Sequence, residues 1–132
     1  MEAFDAFKQA LKIDREYEQA LVGAGRVSRA QGNLKLAVDY FEQALKQSPE
    51  NKNALYNSAW AYYDMRQYER AAKRMEKAAA LAPVSADYYY RAGKFWQESG
   101  GHISAALACY NKAIEYDKQH VFAYTDLSLI HI

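Results

Sequence analysis

A single cysteine, Cys109, leaves this chain unable to form an intrachain disulfide or a thiolate metal cluster. Only two prolines and six glycines interrupt 132 residues, which suits a mostly helical protein. No apolar run approaches the length needed to span a bilayer. The start, Met1-Glu2-Ala3-Phe4-Asp5, lacks the basic residues and apolar stretch of a signal peptide, so a cytoplasmic location is the default expectation. Neither sign of charge dominates. Seventeen Lys and Arg stand against sixteen Asp and Glu, a formal charge of +1, without the concentrated positive charge that nucleic acid or a membrane surface favours. Catalytic signatures are missing as well: there is no nucleophile elbow, phosphate loop or HExxH pattern. His102 and His120 fall near turns with no second histidine at ligand spacing. Gly23-Ala24-Gly25 imitates the start of a nucleotide-binding turn, but it lies inside a helical pattern and Ser28 occupies the third glycine's place. No catalytic residue, metal site or cofactor is expected. The chain is rich in aromatics instead, with twelve Tyr, five Phe and two Trp.

A period organises these residues. Ala3, Ala37, Ala71 and Ala106 follow one another at 34, 34 and 35 residues. Each is followed by a bulky residue (Phe7, Phe41, Met75, Tyr110) and then by a second alanine (Ala10, Ala44, Ala78, Ala113). Pro49 and Pro83 keep the interval, as do Gly25, Ala59 and Gly93, each preceded by a small residue. Leu21, Leu55 and Tyr89 share the register. A fixed period of this length is the mark of a repeat architecture.

The pattern resembles the tetratricopeptide repeat: a large residue, a small pair, an aromatic, then Ala, a bulky residue, Ala and Pro. Leu55, Ser58, Ala59, Tyr62, Ala71, Met75, Ala78 and Pro83 carry it most completely. Ser28 departs from it at the aromatic position, Arg15 and Lys118 at the proline, and a one-residue insertion lengthens the Gly100-Gly101 turn. The resemblance implies an all-α, right-handed superhelical solenoid of antiparallel helix hairpins. About eight helices are expected, near 2–14, 19–31, 34–47, 52–65, 68–81, 86–99, 103–117 and 121–132. Residues 1–17 then form the second helix of a truncated repeat. Repeats follow at 18–51, 52–85 and 86–120, and 121–132 form the first helix of another. Solenoid ends need polar capping helices. Here Phe4, Phe7, Leu11 and Ile13 at one end, and Phe122 and Leu127 at the other, read instead as a piece of a longer array. The last six residues, Leu127-Ser128-Leu129-Ile130-His131-Ile132, are what the DNA CTG TCT CTT ATA CAC ATC encodes. That matches the mosaic end of a transposon sequencing adaptor, so 127–132 read either as a translated artefact or as an ordinary repeat helix with Leu127 at an apolar position, and the codons at the genomic locus decide between them.

In this family first helices line the concave groove. Segment 52–65 carries two stripes: Leu55, Ala59 and Tyr62 toward the hairpin partner, and Tyr56, Trp60 and Tyr63 about a quarter-turn away. The second stripe is expected to face the groove near Tyr90, either as an anchor for a peptide or as packing between neighbouring first helices. Arg26, Asn57, Arg91 and Lys94 complete the expected partner-binding groove, with Arg29 and Lys94 also readable as solvated charge. Some members grip a terminal carboxylate with a Lys, Asn and Arg clamp. Of the corresponding positions Val22, Arg26, Asn57, Asp87 and Arg91, only Asn57 and Arg91 match, so no chaperone-tail binding is expected. The expected function is a non-enzymatic scaffold that binds a partner protein or peptide in the concave groove. The alternative is the recognition arm of a larger multidomain enzyme, such as a glycosyltransferase or kinase, whose catalytic part lies elsewhere. RNA binding by a related helical-hairpin repeat is disfavoured by the neutral charge.

Overall fold

The computed structural model describes residues 3–118 and 125–126, with side chains from Arg15 onward. Six helices follow in order: α1 (Ala3–Ala30), α2 (Leu34–Gln47), α3 (Lys52–Asp64), α4 (Tyr68–Ala80), α5 (Ala86–Ser99) and α6 (Ile103–Tyr116). No strand occurs among the described residues. α2 to α6 start and stop within a residue of the expected bounds.

The expected pair 2–14 and 19–31 is instead one helix of 28 residues. α2 and α4 stop just short of Pro49 and Pro83, which lack the amide hydrogen to continue the ladder. Arg15 stands at that place in α1, and Arg15-Glu16-Tyr17-Glu18 offers nothing to break the helix. Lack of proline permits continuation without compelling it, since α6 ends at Tyr116 ahead of Lys118. The expected boundary at 17–18 therefore falls inside α1, and the expected helix 121–132 lies outside the described residues except at 125–126.

Local chemistry sets the other ends. Asn51 caps α3 by accepting a hydrogen bond from the Ala54 amide at 3.1 Å, and the Ser85 hydroxyl accepts one from the Tyr88 amide at 3.2 Å to open α5. Where each first helix turns into its second, the backbone takes a positive φ: at Gly32 (84°) and Arg66 (63°) alone, and at Gly100 (76°) and Gly101 (73°) together in the longer third turn. The next amide then reaches back across the helix end, Asn33 to the Ser28 carbonyl at 2.8 Å and Gln67 to the Tyr62 carbonyl at 2.9 Å. Arg66 holds this conformation with a Cβ that disfavours it, so Arg66→Gly is expected to raise stability by roughly 1 kcal/mol. Urea unfolding checks this, and a loss of stability would contradict it.

The helices stack in two layers. Arg29 of α1 meets Asp64 of α3, and Trp60 of α3 meets Phe95 of α5, tying the first helices together. Arg74 of α4 meets Glu42 of α2 at 2.8 Å, and Cys109 of α6 donates to Glu76 of α4 at 2.9 Å, tying the second helices. Between the layers lie the periodic residues: Ala37, Phe41, Ala44, Ala71, Met75, Ala78, Ala106, Tyr110 and Ala113 are all fully buried.

Glycine makes the closest approach possible. A methyl group added to Gly25 would fall on the Phe41 ring, and one on Gly93 on the Tyr110 ring, each inside the 3.0 Å that real Cβ atoms respect. At the corresponding places in α3 and α4 stand Ala59 and Met75, both fully buried. Size is thus conserved across the seam: glycine faces an aromatic ring, and alanine goes with a flexible thioether. Burial pushes the Tyr110 phenol well above its ordinary range, and its hydroxyl donates to Gln97 Oε1.

Candidate functional site

The face of α1, α3 and α5 turned away from the second helices carries the groove. The 34-residue period lays its side chains out in rows. Gly23, Asn57 and Arg91 form one, and Arg26, Trp60 and Lys94 another. The large ring at its centre is Trp60, half-buried and set edge-on against Phe95 at 5.1 Å and Tyr63 at 5.4 Å. Tyr63 in turn stacks on Phe95 at 4.8 Å, and its hydroxyl donates to Glu98 at 3.2 Å. That hydrogen bond, with some burial, raises the Tyr63 phenol's pKa, because the carboxylate acceptor favours the protonated form.

Two guanidiniums lie over Trp60. Arg91 approaches from α5 at 5.5 Å from the ring centroid and Arg29 from α1 at 5.8 Å, both within cation–π reach. Arg29 is held by its Nε, which donates to Asp64 at 2.7 Å. Beside it Arg26, Arg29, Ala30, Asn57 and Asp64 line an open recess of 430 Å³. The Asn57 amide donates to the Asn53 carbonyl at 2.7 Å, which leaves its side-chain oxygen as an acceptor at the recess wall.

The other expected residues sit apart from this cluster. Tyr56 stacks on Tyr88 at 4.6 Å, filling the gap between α3 and α5. Tyr90 leans on Tyr110 at 5.8 Å, not on Trp60. Its phenol is pushed up to about 12, first by burial and then by a hydrogen bond to Asp126. Lys94 also faces Asp126, at 3.7 Å. Trp60, Tyr63, Arg26, Asn57 and Arg91 thus gather on one surface, while Tyr56, Tyr90 and Lys94 have neighbours of their own. Arg29 and Asp64, expected among the mixed charges of the groove with Arg29 readable as merely solvated, join the cluster, and so does Phe95, to which the sequence pattern gave no place. Arg29 and Asp64 lie one period plus one residue apart, which sets them on adjacent first helices.

Among the described residues no group of three His, Cys, Asp or Glu could hold a metal ion. Burial, reinforced by the Glu76 carboxylate, pushes the Cys109 thiol far above its ordinary range, which disfavours the thiolate form that reacts. No helix among the described residues is long and apolar enough to cross a membrane.

Fold and groove together define an all-helical solenoid of stacked hairpins that displays a surface on its first helices. The chain belongs to the tetratricopeptide repeat family, which matches residues 28–94, 1–52 and 86–120. It is 26% identical, over 98% of its length, to a probable UDP-N-acetylglucosamine–peptide N-acetylglucosaminyltransferase SPINDLY of Hordeum vulgare, and spans 14% of that protein. It is 31% identical over 69% of its length to the photosystem I assembly protein Ycf3 of Rippkaea orientalis, and spans 54% of it. Among solved structures it resembles the first repeat domain of Spaghetti (RPAP3) bound to an HSP90 peptide. The TM-score is 0.72 at 22% identity, over 88% of this chain and 91% of that one.

Proposed function

We propose that this chain is an interaction scaffold that holds a partner protein or peptide in its groove, with Trp60 as the anchor. The observation that carries the reading is Trp60 itself. A large ring is left half-buried at the centre of the first-helix layer, with two guanidiniums over it. Aromatic and arginine side chains of this kind dominate binding energy at interfaces. The helices are already in place before a ligand arrives, which limits the entropy lost on binding. The Spaghetti domain, similar in fold, holds a peptide. A second reading is favoured by the chain's small share of the SPINDLY-type relative: the groove then serves as the recognition arm of a larger enzyme, and its contacts are the same.

Selection of a random peptide library on the 132-residue chain tests the reading. Selected peptides should lose roughly tenfold or more in affinity against a folded Trp60→Ala variant, the scale of an interface hot spot. They should bind a Lys77→Ala variant on α4 as well as the parent. Peptides indifferent to Trp60 and sensitive to Lys77 would overturn it.

A further inference from the structure

The groove reading leaves open what chemistry the bound segment carries, and the two guanidiniums over Trp60 bear on that. Arg29 is already oriented: Asp64 holds its Nε, and the cation lies over the ring. A guanidinium has five N–H donors in a planar fork, and this contact uses one of them. The terminal nitrogens of Arg29 have no hydrogen-bond partner among the described residues, and Arg91 has no carboxylate partner there either. Both groups are measured from the same ring centroid, at 5.8 and 5.5 Å. They can therefore lie no further apart than the sum of those distances.

We propose that this pair receives two carboxylate side chains at alternate positions of an extended acidic segment laid across α1, α3 and α5, with its backbone passing over Trp60. The proposal rests on the groove reading and gives it a ligand class. The geometry follows from strand dimensions. In an extended chain residues i and i+2 point to the same side about 7 Å apart, a separation that two guanidiniums over one ring can meet. Adjacent acidic residues point to opposite sides and reach only one. Charge supports the same occupant. Asp64 offsets one of the cations lining this part of the groove, and Arg26 adds a further positive charge at the recess. Because the receivers fit side-chain carboxylates, the ligand needs no free C-terminus. Asp87 and Glu98, near the two ends of α5, limit how far the acidic stretch extends.

Binding of fluorescent twelve-residue peptides, blocked at both ends, to the 132-residue chain decides the matter. One peptide carries Glu-Thr-Glu at its centre, the second Glu-Glu-Thr and the third Gln-Thr-Gln. The first should bind at least about tenfold more tightly than the other two, the scale of a charge-assisted hydrogen bond. It should weaken by a similar factor in Arg29→Gln and in Arg91→Gln, and with rising salt. Equal binding of all three, lost in Trp60→Ala but unchanged in the arginine variants, would overturn the acidic ligand and leave the groove reading standing. Binding insensitive to Trp60 and to both arginines, but lost in Lys46→Gln or Lys77→Gln, would overturn both. Failure of the Glu-Thr-Glu peptide to bind, or binding only when its C-terminus is left free, would overturn the acidic-segment proposal alone.

Discussion

Replacing Gly25 or Gly93 with leucine is expected to destabilise the chain by about 1–3 kcal/mol or more. Helix propensity alone argues the opposite, since glycine inside a helix is about 1 kcal/mol worse than alanine. Packing reverses the sign. The Phe41 and Tyr110 rings occupy the space a side chain would need, and both rings are fully buried with nowhere to retreat. Gly23, two residues earlier in α1, has nothing within 4 Å of an added methyl. Gly23→Ala is therefore expected to stabilise by about 0.5–1 kcal/mol. The α3–α4 pair supplies an internal rescue. Gly25→Ala combined with Phe41→Met recreates the Ala59 and Met75 pairing and should recover much of what Gly25→Ala loses alone. Equilibrium urea unfolding of the set measures all of this. A Gly25→Leu chain as stable as the parent would mean that α1 and α2 do not meet where described.

The second large effect comes from the other side of the same contact. Phe41→Ala should cost about 3–5 kcal/mol, because it removes a fully buried ring and leaves a cavity between two rigid helices. The backbone of Gly25 cannot fill that space, and Ala37 and Ala44, one turn away on either side, are too small to move into it. Nearest-neighbour coupling governs stacked repeats, so the loss should fall mainly on α1 and α2. Hydrogen exchange is expected to show faster opening there than in α5 and α6. Uniform acceleration along the whole chain would show instead that the array unfolds as one unit.

Much of this architecture was legible from residue spacing, for a physical reason. Small residues recurring every 34 positions have little use except close approach of helices, so Ala37, Ala71, Ala106, Gly25 and Gly93 disclosed the seam. The size exchange between Ala59–Met75 and the two glycine–ring pairs was present in the same columns. It became interpretable only once the rings were seen lying on the glycines. The continuity of α1 was not legible, because a chain without proline at position 15 can turn or continue, as α6 demonstrates. The groove was legible by face but not in detail. Helical spacing put Tyr56, Trp60 and Tyr63 on one stripe. It could not foretell that Tyr56 would be spent on Tyr88, or Tyr90 on Tyr110. Arg29 reads as a solvated charge until its partner Asp64, on the next first helix, is seen to aim it at Trp60.

Chemical-shift mapping of a selected peptide on the isotope-labelled chain tests the groove most directly. Perturbations should centre on the Trp60 indole and extend to Arg29, Asn57 and Arg91, leaving the exposed sides of α2, α4 and α6 unchanged. A footprint running along those second helices, with the Trp60 indole signal unmoved, would contradict it.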